Sequence, residues 1–163
     1  MSKKSALIIA HLWDYGWLQH ECIGLPTSSS DFELIQEYVH SPAFHTSFLP
    51  NDKDETGIHG PFCADLITAA DYILLDKTDL EHYLQSVTLS ESLEDDEIER
   101  TKLLKHLRTA FQENTQCYVL RVDERNTELF HDWGWVLLIF REFLFVDLQL
   151  QRNRLGRFVI GYD

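Results

Sequence analysis

His20, Glu21 and Cys22 stand consecutively in the chain, and on a β-strand the first and third of them share a face. A thiol beside an imidazole is the arrangement that histidine-activated nucleophilic catalysis uses. Small cysteines are far more often buried and inert than reactive. No catalytic residue is therefore assigned, and an enzyme with a Cys/His site assembled by the fold stays as an alternative reading. The chain has no G-x-S-x-G, P-loop or G-x-G-x-x-G, so phosphate-cradling and dinucleotide chemistries lapse.

The eight histidines raise metal binding, with His20 and Cys22, or His11, Asp14 and His20, as the places to look. C-x-x-C, H-E-x-x-H and any close ligand quartet are missing, so neither a metal nor another cofactor is expected. His45 and His59 flank a loop and read as exposed imidazoles.

Carboxylates are the most abundant chemistry. Asp65, Asp71, Asp76, Asp79 and Glu81, followed by Glu94, Asp95, Asp96, Glu97 and Glu99, make one stretch strongly negative. The second group lacks the oxygen-ligand spacing of a calcium loop and sits where a helix N-terminus favours negative charge. Displayed together, these residues form a candidate docking surface for a basic partner. Arg152, Arg154 and Arg157 form one basic spot, read as a solvated hairpin tip. Trp133 and Trp135 are aromatic interface candidates, with core packing as the plainer reading.

The charge balance sharpens this. Against 27 acids stand 14 bases, a formal net charge of −13, and the first 116 residues carry most of the excess. Such a field repels nucleic-acid phosphates and anionic headgroups and attracts cationic surfaces, so direct nucleic-acid or membrane binding is not expected. Three widely spaced cysteines do not form a disulfide framework and suit a reducing compartment. The apolar stretch Ala6–Ala10 ends too early for a signal-peptide core, and Trp135–Phe140 is far shorter than the ~20 residues of a membrane helix. The cytoplasm is the expected location.

The elements that must position these residues follow from pattern and punctuation. Residues 6–18 read as one strand, with Leu7, Ile9, Trp13, Tyr15 and Trp17 on one face. Ser30 with Glu33 forms a capping box opening a helix over about 31–40, with Phe32, Ile35 and Val39 along one side. Pro and Gly punctuation makes 41–60 a long loop. A helix is expected from Pro61 with the stripe Phe62, Leu66, Ala69, Ala70 and Ile73. Thr78 with Glu81 opens a second short helix, and about Ser92 to Gln112 a third. After Asn114 alternation takes over: Tyr118, Leu120 and Val122 mark one strand, the stretch after Trp135 another, and Phe158, Ile160 and Tyr162 a closing one. For residues 133–147 a buried helix is the alternative.

The expected fold is α+β in a single domain, 1–163. Several helices in the N-terminal two-thirds, about 31–114, pack on a C-terminal antiparallel meander, about 117–163. The expected role is a small acidic cytoplasmic protein that binds a basic protein, as an inhibitor of a toxin or nuclease. In size and charge alone the chain resembles the small acidic immunity proteins that bacteria make against their own toxins. A homo-oligomer pairing its aromatic strands, a homodimer in the simplest case, is a third reading.

Overall fold

The computed structural model describes residues 8–13, 16–46, 48, 57–88, 101, 105, 115–123, 125–131, 139–147 and 153–162. Strands dominate it. Six form one antiparallel sheet: β1 (Ile8–Trp13), β2 (Gly16–Gly24), β5 (Tyr72–Leu75), β6 (Thr115–Leu120), β7 (Ile139–Asp147) and β8 (Arg154–Tyr162), in the order β1-β2-β8-β7-β6-β5. Two short strands, β3 (Ile58–His59) and β4 (Phe62–Cys63), pair separately. Among the described residues the continuous α-helices are α1 (Asp31–Val39) and α2 (Lys77–Thr88).

This overturns the expected helical assembly on a C-terminal meander. The N-terminal part supplies three strands of the main sheet, not a helical layer. Residues 6–18 are not one strand, because Trp13 pairs with Gly16 and the chain reverses between them. The helix expected from Pro61 is absent too. Gly57 and Gly60 take positive φ values of 92° and 52° around the β3–β4 hairpin, and two 3-10 turns, Ala64–Leu66 and Ala69–Asp71, follow. Thr68 and Asp71 cap the second turn reciprocally, and the apolar run Tyr72–Leu75 then continues as β5. The expected helix 92–112 lies outside the described residues except for Thr101 and Lys105, both helical.

α1 forms where its cap predicts. The Ser30 hydroxyl accepts from the Glu33 amide at 3.2 Å, but the Glu33 carboxylate turns to the Ser29 amide (2.9 Å) and hydroxyl (2.5 Å) instead of closing on Ser30. Its buried residues are Leu34, Ile35, Tyr38 and Val39, while Phe32 is exposed. α2 is capped by Asp76, whose Oδ1 accepts from the Asp79 amide at 2.7 Å, two residues earlier than Thr78 would.

β7 and β8 explain why alternation is a poor guide in the last third. Both are interior strands, and Phe143, Leu144, Phe145 and Val146 are all buried, as are Leu155, Phe158, Val159 and Ile160. Strands covered on both faces read as continuous apolar runs. Residues 139–147 are strand, which settles that part of the helix alternative. One face joins α1 in a core that includes Ile23, Tyr72, Leu120, Leu144 and Val159.

Gly161 lies on β8 opposite Trp17, and a Cβ there would collide with the indole ring. Overpacking of this kind costs about 1–3 kcal/mol. Gly161→Ala is accordingly expected to lower the thermal midpoint by several degrees at the ~2–4 °C per kcal/mol of chains this size; calorimetry showing an unchanged midpoint would refute the close contact.

Candidate functional site

The polar constellation of this protein is inside it. Glu142, on β7, is 0% exposed, beneath the face that α1 covers. An ionised carboxylate so placed must be matched by donors or charge. Its Oε1 accepts from the Tyr38 hydroxyl of α1 at 2.5 Å. Its Oε2 accepts from the Tyr72 hydroxyl of β5 at 2.9 Å and lies 2.5 Å from His59 Nε2 of β3.

His59, also 0% exposed, has a defined orientation. Its Nδ1 sits 2.6 Å from the Phe44 carbonyl oxygen, which can only accept, so Nδ1 carries a proton. One further proton lies between Nε2 and Oε2. Whichever atom holds it, the His59–Glu142 pair is neutral as a whole. The ring stacks on Phe44 with centroids 3.8 Å apart, which fixes its plane.

A second charged pair adjoins the first. Arg157 of β8, 4% exposed, is paired through Nη2 with Glu21 Oε1 of β2, its cross-strand neighbour. Arg157 Nη1 donates to the Tyr38 hydroxyl at 3.0 Å and to the Ala43 carbonyl at 2.6 Å. Tyr38 Oη thus receives from Arg157 and gives to Glu142, linking the two pairs. The guanidinium also lies 4.7 Å from the Phe48 ring centroid. Burial pulls its pKa down to about 9, still above neutrality, so it stays cationic. Burial, with the Glu142 charge second, raises the Tyr38 and Tyr72 hydroxyls well above their ordinary value. Both remain protonated donors.

Chemically, this arrangement holds still. Each oxygen of Glu142 and both nitrogens of His59 are engaged, and the groups are sealed from solvent. His59 is therefore not an exposed loop imidazole, and Arg157 is not part of a solvated tip. The sequence reading missed this centre because its members are up to 119 positions apart. The signal that was present is the adjacent Arg141 and Glu142, and Arg157, standing among apolar residues.

The other candidates are placed as follows. His20 and Cys22 both lie on β2. Cys22 is exposed, and the half-buried His20 ring is tilted 5.4 Å from Phe158. No group of three or more His, Cys, Asp or Glu able to hold a metal occurs among the described residues. Asp76, Asp79 and Glu81 gather, exposed, at the start of α2. Asp65 is exposed and borders a cavity of 460 Å³ beside α1, away from the start of α2. Asp71 is half-buried, and its carboxylate accepts from the Thr68 amide (2.7 Å) and hydroxyl (3.0 Å). Glu94, Asp95, Asp96, Glu97, Glu99, Trp133, Trp135 and Arg152 lie outside the described residues. Among the described residues no helix is long and apolar enough to cross a membrane.

No protein-family model matches the chain, and no curated protein sequence matches it. Among solved structures, the crystal structure of citrus MAF1 is similar with a TM-score of 0.40 and 13% identity, covering 91% of this chain and 89% of that one. Likeness at that level carries no argument about fold or role.

Two measurements check the centre. Glu142→Gln leaves a buried partner uncompensated and is expected to cost about 3–5 kcal/mol in denaturant unfolding. Tyr72→Phe removes one donor and should cost about 1–3 kcal/mol. A Glu142→Gln variant as stable as the parent would contradict the account.

Cys117, fully buried on β6, has its pKa pushed up to about 12 by burial. The unfolded chain ionises this thiol near about 8.5, so its contribution to stability is complete below that pH and is lost as pH rises toward about 12. Between those limits the parent should lose stability more steeply than Cys117→Ala, by up to about 1.4 kcal/mol per pH unit. Arg157 acts in the opposite sense, because its folded pKa is lowered, but it is common to both proteins. Parallel curves for parent and variant would refute the assignment.

Proposed function

We propose that this protein is a non-enzymatic binding protein for a basic macromolecular partner, acting in the cytoplasm. The observation that carries the reading is a division of its polar groups. The acidic, basic and hydroxyl groups that the fold brings together, His59, Glu142, Tyr38 and Tyr72, are buried and engaged with one another, while carboxylates at the start of α2 are exposed on a chain of net charge −13. Excess negative charge of this kind speeds encounter with a cationic surface and selects against acidic ones. An inhibitor of a basic toxin or nuclease is the form of the role that this charge suits. Three free cysteines, one of them exposed, support a reducing compartment.

The docking surface the reading needs is narrower than the sequence suggested. Asp79 and Glu81 share one end of α2 with Asp76, which also caps that helix, whereas Asp71 is half-buried in the turn before β5 and Asp65 stands apart.

The test compares the parent protein with an Asp79→Lys/Glu81→Lys variant, which keeps the Asp76 cap of α2, as affinity baits in native cell extract. A basic protein is expected to be retained by the parent at low ionic strength, released at about 1 M salt where the screening length is about 3 Å, and not retained by the variant. Equal retention by both baits, or no retained partner at any salt, would overturn the proposal.

A further inference from the structure

α1 buries Leu34, Ile35, Tyr38 and Val39. Phe32, Gln36 and His40, spaced four apart and therefore on one side of the helix, are exposed. Past this side run the two 3-10 turns that join β4 to β5, Ala64–Leu66 and Ala69–Asp71. Ala64, Ala69 and Ala70 form the wall there, and side chains that end at Cβ leave the gap beside α1 open.

The result is a cavity of about 460 Å³, within the range of about 300–1,000 Å³ that small-molecule sites occupy. Val39 and Ile67 add apolar wall to the alanines, and Phe32, with 56% of its surface exposed, presents an aromatic ring. An apolar body placed here would leave water on several sides at once.

The charge at this cavity has one sign. Its titratable neighbours are Asp65, His40 and His45, and neither lysine nor arginine borders it. The Asp65 carboxylate is exposed and takes part in no hydrogen bond or ion pair among the described residues. His40 already places Nδ1 2.7 Å from the Gln36 carbonyl oxygen. Above the pH range in which an imidazole is protonated, the full charge bordering the space is therefore one carboxylate.

We propose that the cavity between α1 and the 3-10 turns binds a small organic cation, a primary ammonium group on an aromatic body. The ammonium donates to Asp65 in a charge-assisted hydrogen bond, and the body lies against Phe32, Val39 and Ile67. The net charge of −13 draws cations of every kind toward the chain, and the apolar walls select those with a body to bury. Asp76, Asp79 and Glu81 do not border this cavity, so the site goes beyond the acidic surface at α2 and shares no carboxylate with it.

2-Phenylethylamine, 2-phenylethanol and 3-phenylpropanoate share one body and differ in the charge of the head. They are titrated at about pH 8, where an alkylammonium group stays charged and imidazoles do not, and binding is followed by NMR at the Val39, Ala69 and Ala70 amides. The amine is expected to shift these signals saturably and to bind about fivefold or more tighter than the alcohol, the worth of one charged pair at a partly open site. Asp65→Asn should remove that preference and leave alcohol binding unchanged. Glu37→Gln, an exposed position on α1 that lowers the net charge equally but does not border the cavity, should keep it. Ala70→Trp, at an exposed position in the wall, should abolish binding of the amine and the alcohol. Equal affinity for amine and alcohol, tighter binding of the propanoate, equal effects of Asp65→Asn and Glu37→Gln, or amine binding that survives Ala70→Trp would each overturn the site.

Discussion

A carboxylate placed at the middle of a sheet and denied water must find its compensation in the protein, and this fold is arranged so that Glu142 does. Its partners come from α1, β3 and β5, and through Tyr38 the network continues to Arg157 on β8 and Glu21 on β2. Residues separated widely in the chain are thereby fixed to one another by directional bonds as well as by apolar contact. Apolar packing alone tolerates sliding and substitution. A buried charge does not, because any rearrangement that unpairs it costs several kcal/mol.

Neutrality is built in stages. The His59–Glu142 pair shares a proton and carries no net charge, and Arg157 with Glu21 forms a second balanced pair beside it. Aromatic rings complete the enclosure: Phe44 stacks on His59, and Phe48 lies against the Arg157 guanidinium. The outcome is an interior centre whose ionisable groups are engaged with one another.

Much of the secondary structure was legible, and the failures have physical causes. Ser30 announced α1, and alternation around Tyr118 announced β6. The N-terminal hairpin was hidden because apolar and aromatic residues crowd both sides of its reversal, with Asp14 and Gly16 as the signs of a turn. The helix read from Pro61 failed because helical spacing of Phe62, Leu66 and Ile73 is also met by a strand, two 3-10 turns and a second strand in series. The buried centre was illegible by spacing, since Tyr38, His59, Tyr72, Glu142 and Arg157 converge only through tertiary structure. The clue was Arg141 with Glu142, and Arg157, among apolar residues, since a charge that an interior strand buries has to be paired.

The central claim is that the Glu142 centre is sealed and opens only when the whole molecule unfolds. Hydrogen exchange by NMR at the His59 ring N–H and the Tyr38 and Tyr72 hydroxyls tests it directly. The account predicts opening free energies for these protons equal to that of the most protected β7 and β8 amides. Exchange of the side-chain protons through a local opening, while those amides stay protected, would contradict it.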